Sequence, residues 1–148
     1  MSRFAPRDPG FERAVRESFA RQEFMRTLGA TILRVAPGEV EIGLAVDRAL
    51  TQQHGFVHAG AVAAIADSAA GYAVFSLAPP GHEVLTVEFK ISLTAPAVGE
   101  RLVARARVLR AGRSLSTAFA EVHALAGSGE ALVATLLSTV LLRPLGGD

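Results

Sequence analysis

The stretch from Ala59 to Leu77 constrains this chain more than any other. Almost every residue in it is small or apolar, and Asp67 is its one acid. A surface helix needs a polar face, and this stretch has none, so it reads as a helix buried nearly all round. Gly60, Ala61, Ala63, Ala64, Ala66, Ala69, Ala70 and Gly71 keep it thin enough for a sheet to wrap closely around it. Its length invites a membrane reading. Asp67 and Ser68 near its middle, and alanine in place of leucine, argue against that. A buried carboxylate is costly unless something pairs with it or needs it, which makes Asp67 the first functional candidate.

The flanking segments supply material for enclosing that helix. Asp8 can cap an N-terminal helix with Pro9 at its first position. Phe11, Val15, Phe19, Met25 and Leu28 recur at roughly helical spacing, so one amphipathic helix is expected over about 9–28, ending near Gly29. A strand at about 30–35 and the turn Ala36-Pro37-Gly38 lead into Val40, Ile42, Leu44 and Val46, which alternate with polar residues. Pro79-Pro80-Gly81 stops the central helix. Leu85, Val87, Phe89, Ile91 and Leu93 then alternate with polar residues, which places Thr86 on the face away from the buried helix. Leu102, Ala104, Ala106 and Val108 mark another strand, and two apolar runs follow at about 115–125 and 132–142. The short links Pro96–Glu100 and Ala111-Gly112-Arg113 predict antiparallel hairpins or a meander. The sum is an α+β fold: an antiparallel β-sheet of about six strands wrapped around one long central α-helix, with an extra N-terminal helix. One domain is expected over 1–148, with its core at about 29–142.

Charge and composition narrow the partners. A formal net charge of +1 gives no case for nucleic acid or an acidic membrane. There are no cysteines, so thiol catalysis, disulfides and Cys-ligated zinc are excluded. His54 and His58 lack an acid at ligand spacing, so no metal is expected. Met1–Gly10 has no apolar core of the signal-peptide kind, and a cytoplasmic protein is expected. There is no Ser-His-Asp pattern, G-x-S-x-G elbow or phosphate loop.

Several motifs together resemble the hotdog-fold acyl-CoA thioesterases, specifically the phenylacetate-pathway (PaaI-type) branch. They are His54-Gly55-Phe56-Val57-His58-Ala59-Gly60, Asp67, the strand from Val84 to Leu93 followed by Pro96, and Arg110-Ala111-Gly112-Arg113-Ser114. The resemblance spans about Phe24 to Leu142. It implies that Asp67 is general base or nucleophile on a thioester, that the N–H groups of Ala59 and Gly60 after His58 polarise the carbonyl, and that Gln52 helps hold substrate or water. It further implies that Thr86 positions the attacking water and that the turn Arg110, Ala111, Gly112, Arg113, Ser114, Leu115 contacts coenzyme A. Coenzyme A would be part of the substrate, with no separate cofactor. Three departures keep chemical type: His-Ala-Gly for the usual His-Gly-Gly, Gln52 for Asn, and Thr86 for Ser.

Elementary chemistry supports the same assignment. A helix N-terminus offers free N–H donors and the positive end of the dipole, which suits a developing oxyanion at Ala59 and Gly60. Desolvation should push the Asp67 carboxyl upward, which suits a base. Asp67 lies eight residues past Ala59, or roughly 12 Å along the axis at about 1.5 Å per residue. One carboxylate cannot serve a carbonyl held at its own helix tip, so both groups can meet one thioester only across two copies. A homodimer with antiparallel central helices is therefore expected, and the resemblance implies dimers paired into homotetramers. Phe56, Tyr72 and Phe75 are candidate walls of the acyl pocket. His58 is counted with the catalytic candidates, and the reading of it from the residues is that it caps or shapes the loop. Two other readings stand beside hydrolysis: a non-catalytic module that binds acyl-CoA or another apolar ligand, and a hydratase or dehydratase acting on acyl thioesters.

Overall fold

The computed structural model describes residues 3–146. Two short helices open the chain: α1 (Phe11–Ala20) and α2 (Glu23–Leu28). The single helix expected over 9–28 is thus broken, because Gln22 is extended (ψ 102°). The spacing explains the break. Phe19 and Met25 are six residues apart, which on one straight helix would set them on different faces. Breaking the helix lets Phe19 pack against the core while Met25 is fully buried. The start also differs from expectation. Asp8 Oδ1 accepts a 2.7 Å hydrogen bond from Gly10 N, so Asp8 and Pro9 form a turn ahead of the helix instead of its cap and first residue. Gly29 ends α2 with φ 77°, a left-handed conformation that glycine adopts without strain.

Strands β1 (Ala30–Ala36) and β2 (Glu39–Ala45) form a hairpin, and α3 (Ala59–Phe75) follows. Then come β3 (His82–Leu93), β4 (Arg101–Arg110), β5 (Leu115–Ala126) and β6 (Gly129–Pro144). They build one six-stranded antiparallel sheet in the order β1-β2-β4-β5-β6-β3. β4, β5 and β6 are the expected meander. β3 is not part of it: it pairs with β6 at the far edge, so the link 94–100 crosses from that edge to β4 instead of forming a hairpin.

α3 touches all six strands, and Ile65, Ala66, Ala69, Ala70 and Ala73 on its covered face are fully buried. At its C-terminal end, buried Ser76 donates to Ala73 O and accepts from Gly38 N (both 2.7 Å), tying the β1–β2 turn to the helix. The expectation of burial all round holds for only part of the circumference. Ala63, Ala64, Asp67, Ser68, Gly71 and Phe75 are only half buried, on a stripe that the chain's own sheet does not cover. Beside that stripe runs the edge strand β3, whose Val87, Phe89 and Leu93 are exposed.

Candidate active site

Asp67 sits midway along α3 on the uncovered stripe. Its Oδ1 accepts a 2.8 Å hydrogen bond from Thr86 Oγ1. Strict alternation along β3 points Thr86 away from α3, and the structure overturns that. The register shifts between Thr86 and Glu88, leaving Val87 as the extra residue of a β-bulge. Thr86 pairs with Val140, and beyond the bulge Phe89, Ile91 and Leu93 pair with Ser138, Leu136 and Ala134. These β6 partners are all buried against the helix side, and cross-strand neighbours share a face. So Thr86 faces its own helix, and the parity of the strand flips only after it. Burial pushes the Asp67 carboxyl above the usual carboxylate range, and the hydrogen bond from Thr86 opposes that in part.

A cleft of about 380 Å³ opens beside the carboxylate. Asp67, Thr86, Tyr72 and Phe75 line it together. Tyr72 is anchored, its hydroxyl 3.2 Å from Ser18 Oγ. Sequence reasoning missed Ser68, Gly71, Arg21, Gln22 and His82, which line the same cleft. Ser68 and Gly71 were legible in principle, one position and one turn beyond Asp67. Arg21 and Gln22 arrive only through the break between α1 and α2, which a continuous helix conceals.

The other half of the chemistry lies at the tip of α3. His58 is its N-cap, and its Nδ1 accepts a 2.8 Å hydrogen bond from Gly60 N. This is the loop-shaping role expected of His58. It also occupies one of the two amides expected to polarise a carbonyl. The other, Ala59 N–H, has no hydrogen-bond partner among the described residues, and Ala59 is exposed at the positive end of the helix. A second cleft, of about 520 Å³, is lined here by Gln52, Phe56, His58 and Ala59 together with Leu93 and Thr94 of the β3 end. Gln52 is turned onto its own loop, its Oε1 accepting from His54 N. Phe56 therefore belongs to this helix-tip cleft, whereas Tyr72 and Phe75 belong to the carboxylate cleft; one chain does not bring the three together.

The turn Arg110–Leu115 lines neither cleft. Leu115 and Leu85 both pair with Leu141 of β6, so the turn lies at the same end of the sheet as Thr86. Gly112 is obligatory there: a Cβ would fall 2.0 Å from Leu115 O. Arg110, Ala111, Arg113, Ser114 and Leu115 are exposed around it.

The architecture of a long helix enclosed by one antiparallel sheet recurs among known proteins. Residues 54–131 match the Thioesterase superfamily. The chain belongs to that superfamily. Membership gives thioester hydrolysis as its class of chemistry and the hotdog fold as its architecture. A Deinococcus radiodurans protein, named provisionally as an esterase, is 35% identical over 121 residues, spanning 81% of this chain and 79% of its own. A thioesterase family protein from Silicibacter pomeroyi is 49% identical, with a TM-score of 0.90 over 91% of this chain and 99% of that one. The E. coli PaaI protein from the phenylacetic acid degradation operon is 19% identical and shares the fold, with a TM-score of 0.80 over 93% of this chain and 95% of that one. The hotdog thioesterase resemblance read from the motifs agrees with the family match and with the Silicibacter pomeroyi protein, and the PaaI protein agrees in fold. Among the described residues, no helix is long and apolar enough to cross a membrane.

Proposed function

We propose that this protein is a cytoplasmic acyl-CoA thioesterase whose site is completed by a second copy of the chain. The observation that carries the reading is the split of the chemistry between two clefts. The carboxylate with its Thr86 hydroxyl lies in one, and the free Ala59 amide lies at the helix tip in the other. They are roughly 12 Å apart along one axis, too far to act on one carbonyl. Two antiparallel α3 helices, uncovered stripes facing, bring each Asp67 to the other copy's tip and create two equivalent sites. The long edge of β3, unpaired on its outer side and apolar at Val87, Phe89 and Leu93, supports this pairing, since such an edge invites another strand.

In the reaction, the thioester oxygen accepts from Ala59 N–H as negative charge develops on it, aided by the helix dipole. Gly60 N–H joins it when the imidazole of His58 turns away and frees that donor. Asp67, held high in pKa by its half-buried setting, takes a proton from water positioned by Thr86, or attacks the carbonyl itself. The hydroxyl that holds Asp67 Oδ1 fixes the carboxylate in either case. The C–S bond then breaks and coenzyme A leaves as the thiol, taking the proton that Asp67 took from water. On the nucleophilic route it leaves first, and water hydrolyses the mixed anhydride on Asp67, giving its hydroxyl to the acid and a proton to the thiolate. The phosphates of coenzyme A meet Arg110 and Arg113 on the turn that Gly112 makes possible, since guanidinium forks suit phosphate oxygens.

One observation favours a second reading, a module that binds acyl-CoA without turnover: with Gly60 N–H capped by His58, a single amide is free. A thiol-release assay over an acyl-CoA panel decides between them. The thioesterase reading expects release that falls about 10²- to 10⁴-fold in Asp67→Asn, the range of a lost general base. Tight binding with no release from any acyl-CoA would establish the module. A strict monomer in solution that still turned over thioesters would sink the shared site.

A further inference from the structure

Gly71 stands one helical turn beyond Asp67 on the uncovered stripe, and the chain's own packing gives no reason for it to be glycine. It is not among the glycines with positive φ, so any residue can adopt its backbone conformation. A Cβ built on it meets no heavy atom within 4 Å. Glycine inside a helix is less favourable than alanine, because it loses more backbone freedom on folding. Alanine would therefore fit within one chain and strengthen the helix.

Close approach of a second helix does not account for it either. In the antiparallel pairing proposed above, Asp67 of one copy meets the tip of the other at Ala59. Four residues further along, Gly71 lies opposite the partner's Gly55, where the partner helix has already ended. The space beside Gly71 thus faces a loop and the cleft, with no helix backbone against it.

That space belongs to the cleft that Asp67 also lines, and Gly71 puts no side chain into it. Tyr72 lines it too, its ring packed edge-on at 5.8 Å from Phe19 and 6.1 Å from Phe75 and its hydroxyl within hydrogen-bond reach of Ser18. Tyr72 is five residues from Asp67, which is roughly 7 Å along a helix. Arg21 and Gln22 line the same cleft, and their polar ends suit a long alkyl tail poorly.

We infer that Gly71 is a specificity-determining residue, and that the acyl group it admits is short and broad, branched at the second or third carbon. The inference rests on the thioesterase reading above and names its substrate class. A linear chain leaves the space beside Gly71 unfilled and forgoes its contacts, whereas a branch next to the carbonyl fills it. One methyl group in a fitted apolar pocket discriminates by about 10- to 200-fold.

The test compares acyl-CoAs of equal carbon number: butyryl against isobutyryl, and pentanoyl against 2-methylbutyryl. Wild type is expected to favour the branched member in kcat/KM by about tenfold or more. In Gly71→Ala the branched-to-linear ratio falls by about tenfold, chiefly through KM, and Gly71→Val pushes it further. Gly71→Ala is also expected to remain dimeric and to melt higher. A wild-type preference for linear acyl groups overturns the inference, as does a ratio that neither variant moves. Dissociation of Gly71→Ala into monomers overturns it too, by making Gly71 an interface element. If no acyl-CoA is hydrolysed, the reaction reading fails by itself. The same ratio, measured then as Kd for the intact acyl-CoAs, still decides the role of Gly71.

Discussion

The two faces of α3 are built from nearly the same amino acids and do opposite things. On the covered face, Ile65, Ala66, Ala69, Ala70 and Ala73 have no exposed surface. On the other, Ala63, Ala64 and Gly71 are equally small, yet the chain leaves them half open around Asp67 and Ser68. Small apolar residues on the first face let the sheet come close. On the second they have no sheet to meet, and keeping them apolar makes sense only if something else covers them. On the reading proposed above, a helix without a polar face is one half of a structure whose other half is a second copy and a substrate.

The sharpest way to break this comparison is to load each face in turn. Ile65→Ala on the covered face should cost about 2–5 kcal/mol, read as a lower denaturation midpoint with the oligomer otherwise unchanged. Ala63→Arg on the open face should leave the monomer folded, by far-ultraviolet circular dichroism, while the dimer dissociates and thiol release disappears. If Ala63→Arg stays dimeric and active, the open stripe is not the interface. If it unfolds, the two faces do not differ in the way argued.

A smaller effect probes the end of the helix. Ser76→Ala removes the acceptor of the buried Gly38 N–H, and an unsatisfied buried donor costs about 1–3 kcal/mol. Thioester turnover per folded molecule should stay as in wild type, because Ser76 belongs to the covered side. A loss of turnover at full folding would mean that the scaffold end of α3 and its reactive middle are coupled.

Much of the fold was legible in the sequence, and the illegible parts share a cause. The central helix, the six strands and the candidacy of Asp67 follow from periodicity and from the cost of burying an acid. The position of β3 does not. Local pattern says that a strand exists but not which edge it joins, and here it pairs with β6, the last strand, across more than 40 residues of chain. The orientation of Thr86 was misread because one inserted residue, Val87, reverses alternation without leaving a glycine or proline to mark it. The broken N-terminal helix hid Arg21 and Gln22 for the same reason: polar residues at a break resemble those on a solvated face. In the site, residue types were readable while distances were not: His58 was legible as a residue that caps or shapes the loop, but not that it would take Gly60 N–H, one of the two amides assigned to the carbonyl.

Thr86 offers a finer test of the open face. Its hydroxyl stabilises the charged form of Asp67 and so opposes the upward push of burial. Thr86→Val removes that restraint, and the Asp67 carboxyl rises further. The acid limb of kcat/KM, which should already lie above the ordinary carboxylate range, is expected to move to higher pH, with less activity at any pH on the limb. A limb that stays in place would show that Asp67 does not titrate in the reaction, or that Thr86 does not hold it.

The smallest effect separates the faces by stability alone. A group whose pKa is raised on folding binds its proton more tightly in the native state, so it favours the fold below its unfolded pKa. That contribution is lost as pH rises through the raised value. Asp67 is in this class, because burial outweighs the Thr86 bond. Above the window between its unfolded and folded values, the native chain carries a charge that its half-buried site disfavours. Asp67→Asn never carries it, and keeps a carbonyl oxygen to accept from Thr86. The variant should therefore be as stable as wild type in acid and slightly more stable near neutral pH, the gap opening as pH climbs through the window. Chemical denaturation at several pH values measures this directly. A variant that is less stable than wild type at neutral pH would make Asp67 a structural acid, bonded to its surroundings as a charge, and would return the uncovered face of α3 to the same footing as the covered one.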